Sequence, residues 1–101
     1  MRLSPAQVRV LRCLDEGGVL LAALRETDDY LRDDVLLSES VGIVVLPGPP
    51  PYRRERGFRV RNQTAAPLYL DGLIDHPECA GGLREFRITD AGRRQLVSAQ
   101  H

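Results

Sequence analysis

The chain has 101 residues, 43% hydrophobic and 28% charged, which is enough for one modest core and too little for two domains. Its formal net charge is zero, and all 14 basic residues are arginine, so no overall charge draws it to nucleic acid or to an acidic membrane surface. No apolar run approaches the roughly 20 residues that cross a bilayer, and two cysteines do not make a disulfide framework; a cytoplasmic protein is the expectation.

The first predicted element is an amphipathic helix. Ser4 fits the N-cap, Pro5 the first helical position, and Gln7 completes a Ser-x-x-Gln capping box. Leu3 and Val8 stand at the positions of a hydrophobic staple, and Val8, Val10, Leu11, Cys13 and Leu14 supply the apolar stripe. Gly17 and Gly18 allow the left-handed conformation that ends a helix.

Val19 to Leu24 is a continuous apolar run that reads either as a buried strand or as a helix segment, and Leu20, Leu24, Leu31 and Val35 would also line one helical face. Thr27–Asp28–Asp29 looks like a turn or a new helix start. Val41 to Leu46 is short and β-branched and predicts a strand. Pro47 to Tyr52 excludes helix and central strand and predicts an extended, polyproline-like connector.

A second helix is predicted with Thr64 as its cap and Pro67 within its first turn, which sets its start near Ala65, and with Gly72 closing it. Leu73 and Ile74 open a strand, Gly81 and Gly82 turn it, and Leu83 to Ile88 returns. The spacing of Leu83, Phe86 and Ile88 departs from strict alternation, so a bulge is expected there. Thr89 or Asp90 caps a final helix that turns Leu96 and Val97 inward.

Charge is segregated along the chain. From Asp15 to Glu39 eight acids face Arg25 and Arg32, a net of −6; from Arg53 to Arg61 five arginines face Glu55, a net of +4. The split fits either an electrostatically steered partner or attraction between the two halves of the fold.

No catalytic constellation stands out. There is no phosphate-cradling Gly-rich loop and no Gly-x-Ser-x-Gly elbow, and Asp33 with Asp34 are neighbours that do not face each other on a helix. His76 and Cys79 have metal-ligand spacing but lack two further ligands. An enzyme, a metal site and a cofactor are not expected.

Three segments carry a resemblance: LSPAQVRVLRCLDEGG (3–18), TAAPLYLDGLI (64–74) and FRITDAGRRQL (86–96). They resemble the first helix, the recognition helix and the wing-to-last-helix passage of small winged-helix proteins of bacteria, phages and mobile elements. The resemblance implies one α+β winged helix-turn-helix domain over residues 1–101. Residues 19–58 form an atypical insertion within it, an added hairpin or helix. It further implies that Ala65 and Leu68 are core positions and that Ala66, Leu70 and Asp71 face a major groove.

The implied function is DNA binding by a small transcriptional regulator, usually a dimer on double-stranded DNA. Arg59, Arg61, Asn62, Gln63 and Thr64 would lead into the reading helix. Arg84 and Arg87 would act from the wing, and Arg93 and Arg94 on phosphates. The alternative is a winged helix turned to a host protein as an inhibitor, anti-CRISPR-like in one form. Tyr69, Leu70 and Asp71 would supply its contact, and Asp28, Asp29, Asp33 and Asp34 an imitation of a phosphate row.

Overall fold

The computed structural model describes residues 2–23, 42–76, 79–80 and 83–99. It is α+β. Helix α1 (Pro5–Asp15) leads into strands β1 (Val19–Ala23), β2 (Gly42–Leu46) and β3 (Phe58–Arg59). Helix α2 (Asn62–Leu70), strands β4 (Ile74–Asp75), β5 (Cys79–Ala80) and β6 (Leu83–Ile88), and helix α3 (Asp90–Ala99) follow. The strands form one sheet in the order β3-β2-β1-β6-β4, with β5 also on β6, and every pairing is antiparallel.

α1 is held at both ends by its own sequence. Ser4 Oγ accepts from the Gln7 N–H at 3.2 Å while Gln7 Oε1 accepts from the Ser4 N–H at 2.9 Å, the reciprocal capping box. At the other end Gly17 takes φ +96°, its N–H donates to the Leu14 carbonyl, and the Gly18 N–H donates to the Cys13 carbonyl. These two bonds are a Schellman closure, which satisfies carbonyls that a helix end leaves bare.

The Val19 run is therefore a strand. The Gly17–Gly18 reversal delivers it between β2 and β6, where Val19, Leu20 and Ala22 are all buried. Its positions on the other face, buried Val19 and half-buried Leu21, are apolar too, so the run shows no polar alternation. The register sets Leu20 against Val45 and Phe86, and Ala22 against Ile43 and Arg84. That face, with Ile74 and Ile88, meets Val10, Leu11 and Leu14 of α1, Ala65, Ala66 and Leu68 of α2, and Leu96 of α3 in a single core.

Several expectations are corrected. α2 begins at Asn62 with Arg61 as its N-cap and no side-chain cap, so Thr64 lies inside the helix and Pro67 is its sixth residue. Bonds from the Thr64 and Ala65 N–H to the Arg61 carbonyl close its first turn three residues earlier than expected. Pro67, inside the helix, forgoes the bond a backbone N–H there would make to the carbonyl of exposed Gln63. Ala66 is buried at 4% exposure, not turned outward. Gly72 does close the helix, at φ +74°, with the Leu73 N–H on the Leu68 carbonyl at 2.8 Å.

β6 has no bulge where it pairs with β1: its register runs unbroken from Leu83 to Phe86, and the inward positions are Arg84, Phe86 and Ile88. Thr89, not Asp90, caps α3, accepting from the Gly92 N–H at 3.0 Å and donating to the Gly72 carbonyl at 2.6 Å. Leu96 is buried, but Val97 is 55% exposed. Residues 48–51 bend instead of running extended. The expected turns at Thr27–Asp29 and Gly81–Gly82, and the positions Leu24, Leu31 and Val35, lie outside the described residues.

Candidate nucleic-acid interface

β3 is the edge strand that delivers the chain into α2. Pairing of Val45 with Phe58 and of Val44 with Arg59, followed by the Val60 N–H on the Ile43 carbonyl, sets a strict alternation. Phe58 and Val60 pack against the core, while Arg59 and Arg61 stand exposed. Arg9, exposed on α1, crosses to this edge, its guanidinium carbon 3.7 Å from the centre of the Phe58 ring. That stacking fixes the plane of the guanidinium without neutralising its charge.

The three arginines border one open cavity of about 240 Å³, walled by Ala6, Arg9 and Val10, by Phe58 to Arg61, and by Thr64. Among the described residues none of the three arginines is in an ion pair. The N-terminus of α2 opens beside them without a side-chain cap and adds its own partial positive charge. Gln63 is exposed, and Asn62 and Thr64 are half-buried, on the first turn. Chemically, this is a concave site for an anion, with an amide side chain next to it.

The wing arginines do not join this site. Arg84 is 1% exposed, with Nη1 3.4 Å from His76 Nε2, so it cannot reach a phosphate; that expectation is overturned by its inward position on β6. Arg87 lies on the opposite face of the sheet. It donates to the Gly17 and Gly18 carbonyls at 3.4 and 3.2 Å and to the Tyr52 hydroxyl at 2.7 Å, and it pairs with Glu85. The Tyr52 hydrogen bond, first among the causes, raises the guanidinium's affinity for its proton still further. Arg93 pairs with Asp15 at 3.3 Å and Asp90 at 3.2 Å, both at the surface, and Arg94 is exposed.

On the alternative, protein-facing side, Leu70 is 61% exposed and Asp71 is exposed beside it. Tyr69 turns away from them: its ring stacks on His76 at 5.5 Å and meets the edge of Phe86 at 5.5 Å. Asp28, Asp29, Asp33 and Asp34 lie outside the described residues. Cys13 is a half-buried free thiol whose pKa is raised by burial first and by Glu16 next. Among the described residues no three metal-ligating side chains converge, and no helix is long and apolar enough to cross a membrane.

No protein-family model, curated protein or solved structure matches this chain. The site therefore stands on its own geometry. Arg9 and Phe58 are the members that sequence reading missed. Arg9 is one of two arginines on α1, with Arg12, and only the docking of α1 against β3 singles it out.

Proposed function

We propose that the protein is a small DNA-binding regulator of winged-helix type that grips duplex DNA at the N-terminal edge of α2. The observation that carries this reading is the convergence of Arg9, Arg59 and Arg61 on one concavity beside an uncapped helix start. Guanidinium groups and helix N-terminal N–H groups are the common phosphate partners of DNA-binding proteins, and they set register for the residues behind them. Gln63, next in line, is the side chain in place to meet a base edge. The succession α2, β4, β6, α3, with β4 and β6 antiparallel, is compatible with the winged-helix resemblance. As a regulator it would bind as a dimer on two half-sites.

Titration with duplex DNA at two salt concentrations tests the reading. The double variant Arg59→Ala/Arg61→Ala should weaken binding and reduce the steepness of the salt dependence by about 1.8, two phosphate contacts at about 0.9 each. Absence of binding by the wild type even at low salt would sink it. The exposure of Leu70 beside Asp71 favours a second reading, a host-protein contact, and a mixed apolar and acidic patch of this kind suits a protein partner. That reading would then take its place.

A further inference from the structure

We propose that α2 reads A·T base pairs, with Gln63 on adenine and with Pro67 and Leu70 on thymine methyl groups. This rests on the DNA-binding reading above. Burial sorts the helix into two sets. Ala65, Ala66 and Leu68 are given to the core, whereas Gln63 and Leu70 are exposed and Pro67 is half-exposed. Positions 67, 70 and 71 lie four, seven and eight residues beyond Gln63, so the four form a single stripe along the helix.

The chemistry of that stripe is selective. α2, NQTAAPLYL, contains no arginine or lysine, so the commonest guanine contact, a cation on O6 and N7, has no donor here. Gln63 carries one donor and one acceptor at fixed spacing, the match for adenine N7 and N6–H. It stands on the first turn, beside the arginine cradle that would hold the phosphates, and helix N-terminal residues are those that reach base edges. Behind it the stripe is apolar, and the apolar feature of the major groove is the thymine C5-methyl.

The dimensions agree. Seven residues at about 1.5 Å rise put Leu70 about 10 Å from Gln63, roughly three base-pair steps of 3.4 Å. Asp71 ends the stripe with a carboxylate that repels phosphate, an effect opposed at the other end by Arg9, Arg59 and Arg61.

The test has three duplex arms, read by fluorescence anisotropy at one low salt concentration. They are the tightest binders selected from a random library, GC-only duplexes, and the selected duplexes with every thymine replaced by uracil. Selected sites should be A·T-rich and bind about tenfold tighter than GC-only DNA, with Gln63→Ala losing most of that margin. Uracil, lacking the methyl, should weaken wild-type binding about fourfold per methyl covered. Leu70→Ala should shrink the thymine–uracil difference by about fourfold, leaving only what Pro67 covers, with the salt dependence unchanged. Because Leu70 is 61% exposed, this variant keeps the core intact, which circular dichroism verifies. Salt-dependent binding with no A·T preference and no uracil effect overturns the base assignment and leaves the DNA reading standing. No binding to any duplex overturns both.

Discussion

Arg84 occupies the inward position on β6 between the strand partners Ala22 and Cys79, two residues before Phe86. Read as L-R-E-F-R-I, the strand looks out of phase because Leu83, Phe86 and Ile88 do not alternate. Counted with Arg84 as an inward residue, the pattern 84, 86, 88 is regular. An arginine can take such a place because its aliphatic stem packs like a hydrophobe while its head seeks a polar neighbour, here His76. Arg84→Ala should therefore behave as a core truncation, lowering stability by about 2–4 kcal/mol in urea unfolding. Any DNA affinity should keep its salt dependence. A variant of unchanged stability would mean that the guanidinium is not held inside. Ala66 teaches the same lesson in reverse: an alanine is mute about which way it faces, and only its 4% exposure places it in the core.

The elements differ in how much of their own definition they carry. α1 was readable from end to end because Ser4, Pro5, Gln7, Gly17 and Gly18 act within one turn of themselves. α2 was readable at its close and not at its start, since Arg61 caps it with backbone alone. α3 starts where Thr89 joins three pieces of backbone, its own Gly92 N–H and the carbonyls of Gly72 and Leu73. Two glycines at this junction give a paired prediction for denaturant unfolding. At Gly72, φ +74° with open space around, Gly72→Ala should cost about 1 kcal/mol, the dihedral penalty alone. At Gly92 an added Cβ would lie 2.2 Å from the Leu73 carbonyl oxygen. Gly92→Ala should therefore cost more, about 3 kcal/mol, by forcing α3 off the start of β4. Equal costs would show that the α3–β4 approach is looser than this.

Across the whole molecule, Arg87 joins parts that are distant in sequence. It holds the α1–β1 turn through the Gly17 and Gly18 carbonyls and the proline-rich bend through Tyr52, whose hydroxyl in turn donates to Gly17. Arg87→Ala should lower stability by about 1–2 kcal/mol, since each of these partly exposed bonds is worth about 1 kcal/mol or less. Tyr52→Phe, which removes the hydroxyl from both of its bonds, should reproduce part of that loss without touching the charge. Neither change should alter the salt dependence of DNA binding, because this face lies opposite the helices; a reduced dependence in Arg87→Ala would return the residue to the interface. Among the described residues, Asp15 of the acidic segment pairs with Arg93, which lies outside the basic one, while Arg59 and Arg61 border the same cavity as Arg9.

What the sequence determined by itself was local: the caps of α1, the glycine that ends α2, the strand at 42–46, a cap for α3 at Thr89 or Asp90, and the α+β class that these add up to. The helix caps depend on contacts between residues no more than five apart, and the strand shows in its β-branched composition, so the residues that signal each are adjacent in the chain. The tertiary structure decided which side of each element is inside. It buried Arg84 and Ala66, left Val97 and Leu70 in solvent, tied Arg87 into a clasp, and carried Arg9 from α1 to Phe58, Arg59 and Arg61. Those outcomes depend on how a helix packs on a strand some fifty residues away in the chain, and composition and periodicity hold no record of that packing.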